Sequence, residues 1–379
     1  MSQPIRVLHI FGRMDRGGAE TFIMRVYRHL DRGKVQFDFG VHSELPGHYD
    51  DEIRDLGGRI FVLPRPGLLR LPAYVQALKT LLYHEGPFAA VHSHVHFYSG
   101  IPLVTAHLAG VPLRVAHSHN TYDGKGQALP RQAYRRWMRW LIFRHATHML
   151  GCSWSACEAL YGPDCWHDNR VRVLHYCVEL APFESLPQDR RALRVRVGLP
   201  EEGCLIGHVG RFDTQKNHRF LVEVFEALAG RLPDACLILV GDGPLRPEIE
   251  ELVASKGLQD RVSFLGIRAD VPEIMGCLDA LLFPSLWEGV PLTLLEAQAS
   301  GLPCVISDVI SQEANLKIGL LHPVSLDASL DNWVEEVLQA LQSNRPDWGV
   351  RRDALRRNGY DVEEVTACLE NIYGGHSND

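Results

Sequence analysis

The sequence predicts an α/β protein of two doubly wound domains facing each other across a cleft, each a parallel sheet with helices on both sides. Three observations lead there. Short, β-branched apolar runs alternate with longer amphipathic segments along the whole chain, the pattern of strand–helix units that build parallel sheets. The alternation stumbles once, over residues 177–200, in a polar, Pro-containing stretch, and then restarts. The length, 379 residues with 46% apolar and 22% charged content and a mean hydropathy of −0.10, favours two cores over one.

In the first series, strands are expected at 5–11, 37–41, 59–63, 89–94, 113–117 and 147–152, with helices over 19–30, 72–85 and 132–144. Residues 177–200 read as a linker carrying a basic helical piece at 189–197. The second series has strands at 204–209, 236–240, 262–265, 280–284 and 303–307, and helices over 217–232, 245–255 and 292–299. This divides the chain into domains at 1–178 and 179–358, with a final segment at 359–379. Sheets of this kind bind ligands beyond the carboxyl ends of their strands, so the loops after strands are where chemistry is to be sought.

Composition excludes several classes. A net charge of −7 and a pI near 6.2 do not fit a nucleic-acid binder. Nine cysteines at irregular spacing, with no Cys-x-x-Cys pair, suit buried free thiols in a reducing compartment, so the cytoplasm is expected. The N-terminus runs straight into a strand, and no stretch approaches a membrane-spanning length, so any membrane contact is expected to be peripheral.

The richest constellation is PSLWEGVPLTLLEAQASG at 284–301. A buried strand ends, Pro291 is placed for a first helical turn, and the amides around Gly289, Val290 and Leu292 point outward with the positive end of a helix dipole. A nucleotide diphosphate fits that field. Glu296, a turn inward, is placed for ribose hydroxyls and Glu288 for a sugar; an ordinary acidic helix start reads equally well from this motif alone. In GHVGRFDTQKN at 207–217, a strand delivers Arg211 and, five residues on, Lys216. A guanidinium fork and an ammonium can together neutralise a leaving pyrophosphate without a metal; two solvated cations are the bland alternative. Gly241 in VGDGPLRPEIE is turn chemistry by itself, and Ile267 and Arg268, after the strand ending at Gly266, are candidates to flank a nucleobase.

In the first half, GRMDRGGAET at 12–21 is a glycine-rich turn but not a Walker loop, since Gly18 stands where that motif needs lysine. Gly17 and Gly18 allow a close backbone approach to an anion or a hydroxylated acceptor, and a structural tight turn reads nearly as well. HSHVH at 92–96 and HSHN at 117–120 lie at strand ends. His92, His94 and His96 would share one face of an extended strand, but with no carboxylate or cysteine partners in view no metal is expected there. A hydrogen bond from His119 or His117 to a transferred sugar is better motivated. RQAYRRWMRWLIFR at 131–144 sets Arg131, Arg135 and Arg139 along one helical face with Trp137 nearby, either a membrane-surface patch or a solvated basic side.

Taken together, GGAE, HSHN, GRFDTQKN, GDGP and EGVPLTLLEA, in this order and spacing, resemble the family-4 retaining glycosyltransferases of GT-B fold, especially bacterial enzymes of exopolysaccharide biosynthesis. The resemblance spans nearly the whole chain and implies two Rossmann-like domains, the first on the acceptor side and the second binding the nucleotide sugar. It implies that Arg211 and Lys216 hold the diphosphate, Glu296 the ribose, and Glu288 with the following loop amides the donor sugar. The family's sugar-contacting histidine matches His119 best, with His117 a rival, and Gly17 and Gly18 match the loop near diphosphate and acceptor. Residues 360–373 resemble the family's last helix, which crosses back onto the N-terminal domain. One departure is Tyr176-Cys177-Val178-Glu179, where members often carry Asn-Gly-Ile-Asp; it bears on the hinge more than the chemistry.

The chain has no Asp-x-Asp pair, so a metal-bridged diphosphate is unsupported and no cofactor is expected. The expectation is metal-independent transfer with retained configuration from a nucleotide diphosphate sugar, by default a UDP-sugar, to a saccharide or lipid-linked saccharide. Two other readings stay open: a nucleotide-sugar epimerase of related architecture, and a non-catalytic sugar-nucleotide-binding or assembly protein. A scaffold would keep its role after substitution of Lys216 or Glu288.

Overall fold

The computed structural model describes residues 4–120, 126, 128–187 and 189–374. The chain divides into two compact units, Met1–Cys177 with Val362–Asp379, and Val178–Asp361.

The first unit holds a seven-stranded sheet in the order β3-β2-β1-β4-β5-β6-β7. Its strands are β1 (Ile5–Phe11), β2 (Val35–Val41), β3 (Ile60–Val62), β4 (Ala90–Ser93), β5 (Leu113–Ser118), β6 (His148–Gly151) and β7 (Val171–Val173). Neighbours pair in parallel throughout. Every residue of β2 is buried, including Asp38. Burial pushes that carboxyl up, but Arg6 at 2.5 Å and Arg59 at 2.8 Å outweigh it and hold the group ionised below the usual carboxylate range.

The second unit has six parallel strands in the order β10-β9-β8-β11-β12-β13, namely β8 (Cys204–Val209), β9 (Ala235–Val240), β10 (Val262–Gly266), β11 (Ala280–Phe283), β12 (Cys304–Ser307) and β13 (Leu321–Val324). In both sheets the strand order reverses once, between β1 and β4 and between β8 and β11. At such a switch point the chain leaves adjacent strands in opposite directions and opens a crevice at their carboxyl ends.

Two strands escaped the sequence reading, β7 and β13. Both are edge strands, where one covered side is enough and Arg172, His322 and Pro323 interrupt the apolar run. The expected linker at 177–200 is also corrected. Its helices, Ala181–Glu184 and Arg190–Val197, pack into the second unit, with Phe183, Leu193, Val197 and Leu199 in its core. Asp189 caps the latter helix by accepting from Arg191 N and Ala192 N, and Gly198 ends it at a φ of 78°. Arg190 and Arg194 both reach Asp279 at 2.8 Å, tying the segment to the start of β11.

The Val362–Tyr373 helix belongs to the first unit. It packs on the Gly18–His29 helix, where Glu370 accepts from Asp31 N at 3.0 Å, and it delivers Tyr373 beneath the sheet.

Candidate active site

In the second unit, the switch point between β8 and β11 gathers most of the expected residues. After β8 the chain passes Gly210 and Arg211 and enters a single turn, Thr214–Lys216, capped by the Asp213 carboxylate. After β11 it runs through 284–291 into the Leu292–Ala299 helix. Backbone and amide bonds stitch the two loops together: Leu286 N donates to Gln215 O at 2.8 Å, Gln215 Nε2 to Trp287 O at 2.8 Å, and Asn217 Nδ2 to Pro284 O at 3.2 Å. Asn217 occupies the left-handed region at a φ of 56°, which its short polar side chain tolerates better than most.

That stitching brings Lys216 Nζ to 2.5 Å from Glu288 Oε1, with the side chains only 14% and 8% exposed. The ammonium also lies 4.5 Å from the centre of the Phe283 ring. Arg211 is exposed, and among the described residues its guanidinium has no carboxylate partner. The site thus holds one cation neutralised by an internal carboxylate and one open to an incoming anion.

Gly241 sits at a φ of 133°, and a Cβ there would collide with the Gly210 carbonyl. Its N–H donates to Gly266 O at 2.8 Å, and Gly210 N donates to Val240 O at 2.9 Å. The glycine therefore lets the ends of β8, β9 and β10 close into one shelf. Ile267 follows this shelf and is 46% exposed. Arg268 pairs with Asp270 at 2.5 Å and donates to Val197 O at 3.3 Å. Pro291 is buried and forms the N-cap, and the helix starts at Leu292, as the sequence predicts. Leu294 N donates to Pro291 O at 3.0 Å, and the amides that precede it in the helix have no carbonyl one turn back to bond. Gly289 faces open space, Val290 is buried, and Glu296 is half-buried in the second turn.

In the first unit the switch point between β1 and β4 is lined by histidine. His9 and His92 are register partners on adjacent strands, β5 adds His117, and His119 follows just past its end. One chain of bonds runs from Tyr176 Oη to His119 Nδ1 (3.2 Å), from His119 Nε2 to His94 Nδ1 (2.7 Å), and from His94 Nε2 to His9 Nδ1 (3.0 Å). A second runs from Tyr373 Oη to His92 Nδ1 (2.6 Å) and from His92 Nε2 to His117 Nδ1 (3.1 Å). Burial drives His119 down to about 3, with His96 adding to the fall, and drives His9 to about 3 against the pull of Asp38. His92, His94 and His117 lie well below the usual imidazole range for the same reason, burial first and neighbouring imidazoles second. All five are neutral at pH 7.

His117 is fully buried, whereas His94 and His119 stand half-buried at the rim. The expected face of His92, His94 and His96 does not form, because β4 ends at Ser93 and His96, at a φ of 51°, turns its ring edge-on to Phe97. His9 was missed: inside the run IRVLHIF it reads as an ordinary core position. Gly17 caps the Gly18–His29 helix in extended geometry, and a Cβ there would run into the Glu20 carboxylate. Burial pushes Glu20 up to about 7, against its own backbone amide and with Asp15 adding to the rise. A Cβ on Gly18 would lie 3.6 Å from Tyr176 Oη, so the glycine turn, Tyr176 and His119 are contiguous.

The basic helix, Leu129–His145, only partly matches its expectation. Arg131 lies over Tyr134 and Arg135 over Phe97, while Trp137 and Trp140 are 42% and 58% exposed. Arg139 does not share the solvated face, because its guanidinium donates inward to Leu160 O at 2.9 Å. Among the described residues no helix is long and apolar enough to cross a membrane.

Comparison with known proteins agrees with the two-sheet fold. Residues 203–343 match the family described as glycosyl transferases group 1, and residues 17–177 match the glycosyl transferase 4-like domain. The chain is 38% identical to the putative glycosyltransferase EpsF of Bacillus subtilis (strain 168), over 97% of this chain and 96% of that protein. It is 28% identical to the UDP-Gal:alpha-D-GlcNAc-diphosphoundecaprenol alpha-1,3-galactosyltransferase of Escherichia coli, over 72% of each chain. In fold it is similar to Anabaena HepE, solved in complex with UDP-glucose, with a TM-score of 0.78 at 18% identity over 98% of this chain and 100% of that one. Two parallel sheets with their switch points, both domain families and a relative along the full length identify the chain as a member of the family-4 glycosyltransferases of GT-B fold.

Proposed function

We propose that the protein transfers a sugar from a nucleotide diphosphate sugar, by default a UDP-sugar, to a saccharide or lipid-linked saccharide in surface or exopolysaccharide synthesis. In this reading no metal is required and the anomeric configuration is retained. The observation that carries it is the convergence of open Arg211, the Lys216–Glu288 pair and the start of the Leu292–Ala299 helix at one switch point. The relatives named above support the donor class and the acceptor class by their own names.

Arg211, Lys216 and the amides of Gly289, Val290 and Leu292, with Pro291 fixing the turn, hold the diphosphate. Glu296 accepts from ribose hydroxyls, the Gly241 shelf and Ile267 flank the base, and Arg268 acts through its Asp270 pair rather than directly. When a diphosphate engages Lys216, Glu288 is released toward the sugar. The N-terminal unit contributes His119, chosen over His117 because only His119 reaches the rim. It also contributes the Gly17–Gly18 amides. The C1–O bond to the diphosphate breaks, the acceptor oxygen bonds C1 on the same face, and its proton passes to the departing diphosphate oxygen. Arg131, Arg135 and Trp137 supply a membrane-surface contact that keeps the protein on the inner face of the cytoplasmic membrane.

The test is transfer from a panel of UDP-sugars to lipid-linked saccharides in excess EDTA, with product configuration read by NMR. An α-linked product from an α-linked donor supports the proposal. An inverted product, or activity abolished by EDTA and restored by a divalent ion, contradicts it.

A further inference from the structure

The buried histidines do more than one sugar contact requires. Two groups of three each bring one nitrogen per residue within 4.8 Å of the others: His9, His92 and His94 inside, and His94, His117 and His119 at the rim. We infer that the outer group, His94, His117 and His119, is a binding site for one borderline transition-metal ion such as Zn(II) or Co(II).

The hydrogen bonds orient the ligands. If Tyr373 Oη accepts from His92 Nδ1, then His92 Nε2 accepts from His117 Nδ1, and His117 Nε2 is left as a bare lone pair. That nitrogen is buried and has no hydrogen-bond partner. If Tyr176 Oη likewise accepts from His119 Nδ1, and His9 Nδ1 accepts from His94 Nε2, then His119 Nε2 and His94 Nδ1 are lone pairs too. They face each other at 2.7 Å, which two lone pairs do not tolerate without a cation between them. A shared proton meets that need, and so does a metal, with three nitrogens drawn in to about 2.0–2.1 Å from the ion.

Tyr176, His9 and the His92–Tyr373 pair then play the orienting role that partners of metal-bound imidazoles play generally. Neutral imidazole is the form a metal requires, and burial keeps all of these rings neutral. The half-buried positions of His94 and His119 leave the fourth coordination position facing outward, for water or a hydroxyl. His94 has one lone pair as a neutral ring, so it serves one group at a time and the stoichiometry is one ion per chain. An ion held here takes up His119, so it excludes the sugar contact proposed for that residue. That consequence rests on the functional reading above; the binding itself does not.

The test uses full-length protein without a polyhistidine tag, stripped with a chelator, in a Cys368→Ser background because Cys368 is the exposed thiol. Titration with Co(II) should give a visible absorption band that saturates at one ion per chain and is displaced by Zn(II). His94→Gln and His117→Gln should each abolish the band. Tyr373→Phe, which touches no ion, should weaken affinity about 10- to 100-fold, with circular dichroism unchanged. Should His94→Gln fail to fold, His119→Gln at the rim takes its place with the same expected loss. No saturable binding, or parent affinity in His117→Gln and His119→Gln, overturns the inference.

Discussion

Replacing Lys216 by methionine separates what holds the second unit together from what binds the donor. The Lys216 ammonium and Glu288 carboxylate meet at 2.5 Å with 14% and 8% of their side chains exposed, so removing the cation strands a nearly buried anion. Breaking such a pair from one side costs about 3–5 kcal/mol, because the remaining charge is left without compensation. Removing both charges together, as Lys216→Met with Glu288→Leu, should recover most of that loss. Donor binding must behave differently. A lost hydrogen bond from a charged donor to phosphate costs about 1.5–3 kcal/mol, or about 10- to 150-fold in affinity, and the second substitution cannot restore it. Urea unfolding read by circular dichroism gives the first quantity, and calorimetric titration with UDP the second. Two results would refute the reasoning: a single variant as stable as the parent, or a double variant that binds UDP as the parent does.

Three further outcomes follow from the same geometry. Gly241→Ala must place a Cβ against the Gly210 carbonyl at a φ of 133°, so the unfolding free energy from urea titration should fall by at least the about 1–3 kcal/mol that such backbone strain costs, and an unchanged value would contradict the close packing of β8 and β9. His218, 2% exposed and stacked 4.1 Å from Phe212, is pushed down to about 4 by burial first and Lys216 second, so the unfolded chain takes up its proton first as the pH falls. The stability it contributes is complete above about 6.5 and is lost on acidification toward 4, on the order of 3 kcal/mol; His218→Phe should flatten that limb of the stability curve, and an identical acid slope in the variant would dismiss the assignment. Charge reversal at Arg131 and Arg135 with Trp137→Ser should weaken sedimentation with anionic liposomes about tenfold, and equal sedimentation would sink the membrane contact.

How far the sequence carried the account depended on where each residue sits. Ile5–Phe11 and Cys204–Val209 stand in the fold where their apolar runs placed them, since central strands covered on both faces stay mostly apolar. Gly100–Leu108 escaped because most of its residues are buried, which leaves too little polar face to give it a period. The loop motifs were legible as candidates because Gly, Arg, Lys and Glu at strand ends have few structural reasons to be there. Their pairing was not: Lys216 and Glu288 are 72 residues apart, and only the switch point brings them together. Arg139 and Arg268 show the converse, since each has a local acceptor that helical spacing or strand position alone does not reveal. His9 had no signal of its own, because a histidine within an apolar strand looks like core until its neighbours across the sheet prove to be histidines too.

The central claim is that the second unit binds a nucleotide diphosphate sugar through Arg211 and Lys216 without a metal. A thermal-shift and nucleotide-release panel over common nucleotide sugars, run in EDTA on the parent, Arg211→Ala and Lys216→Ala proteins, tests it most directly, because a ligand that binds the folded state raises its apparent stability by mass action. The account predicts stabilisation and slow nucleotide release with one donor, both lost in each variant. Silence across the panel from folded parent protein, or a response that survives both substitutions, would contradict it.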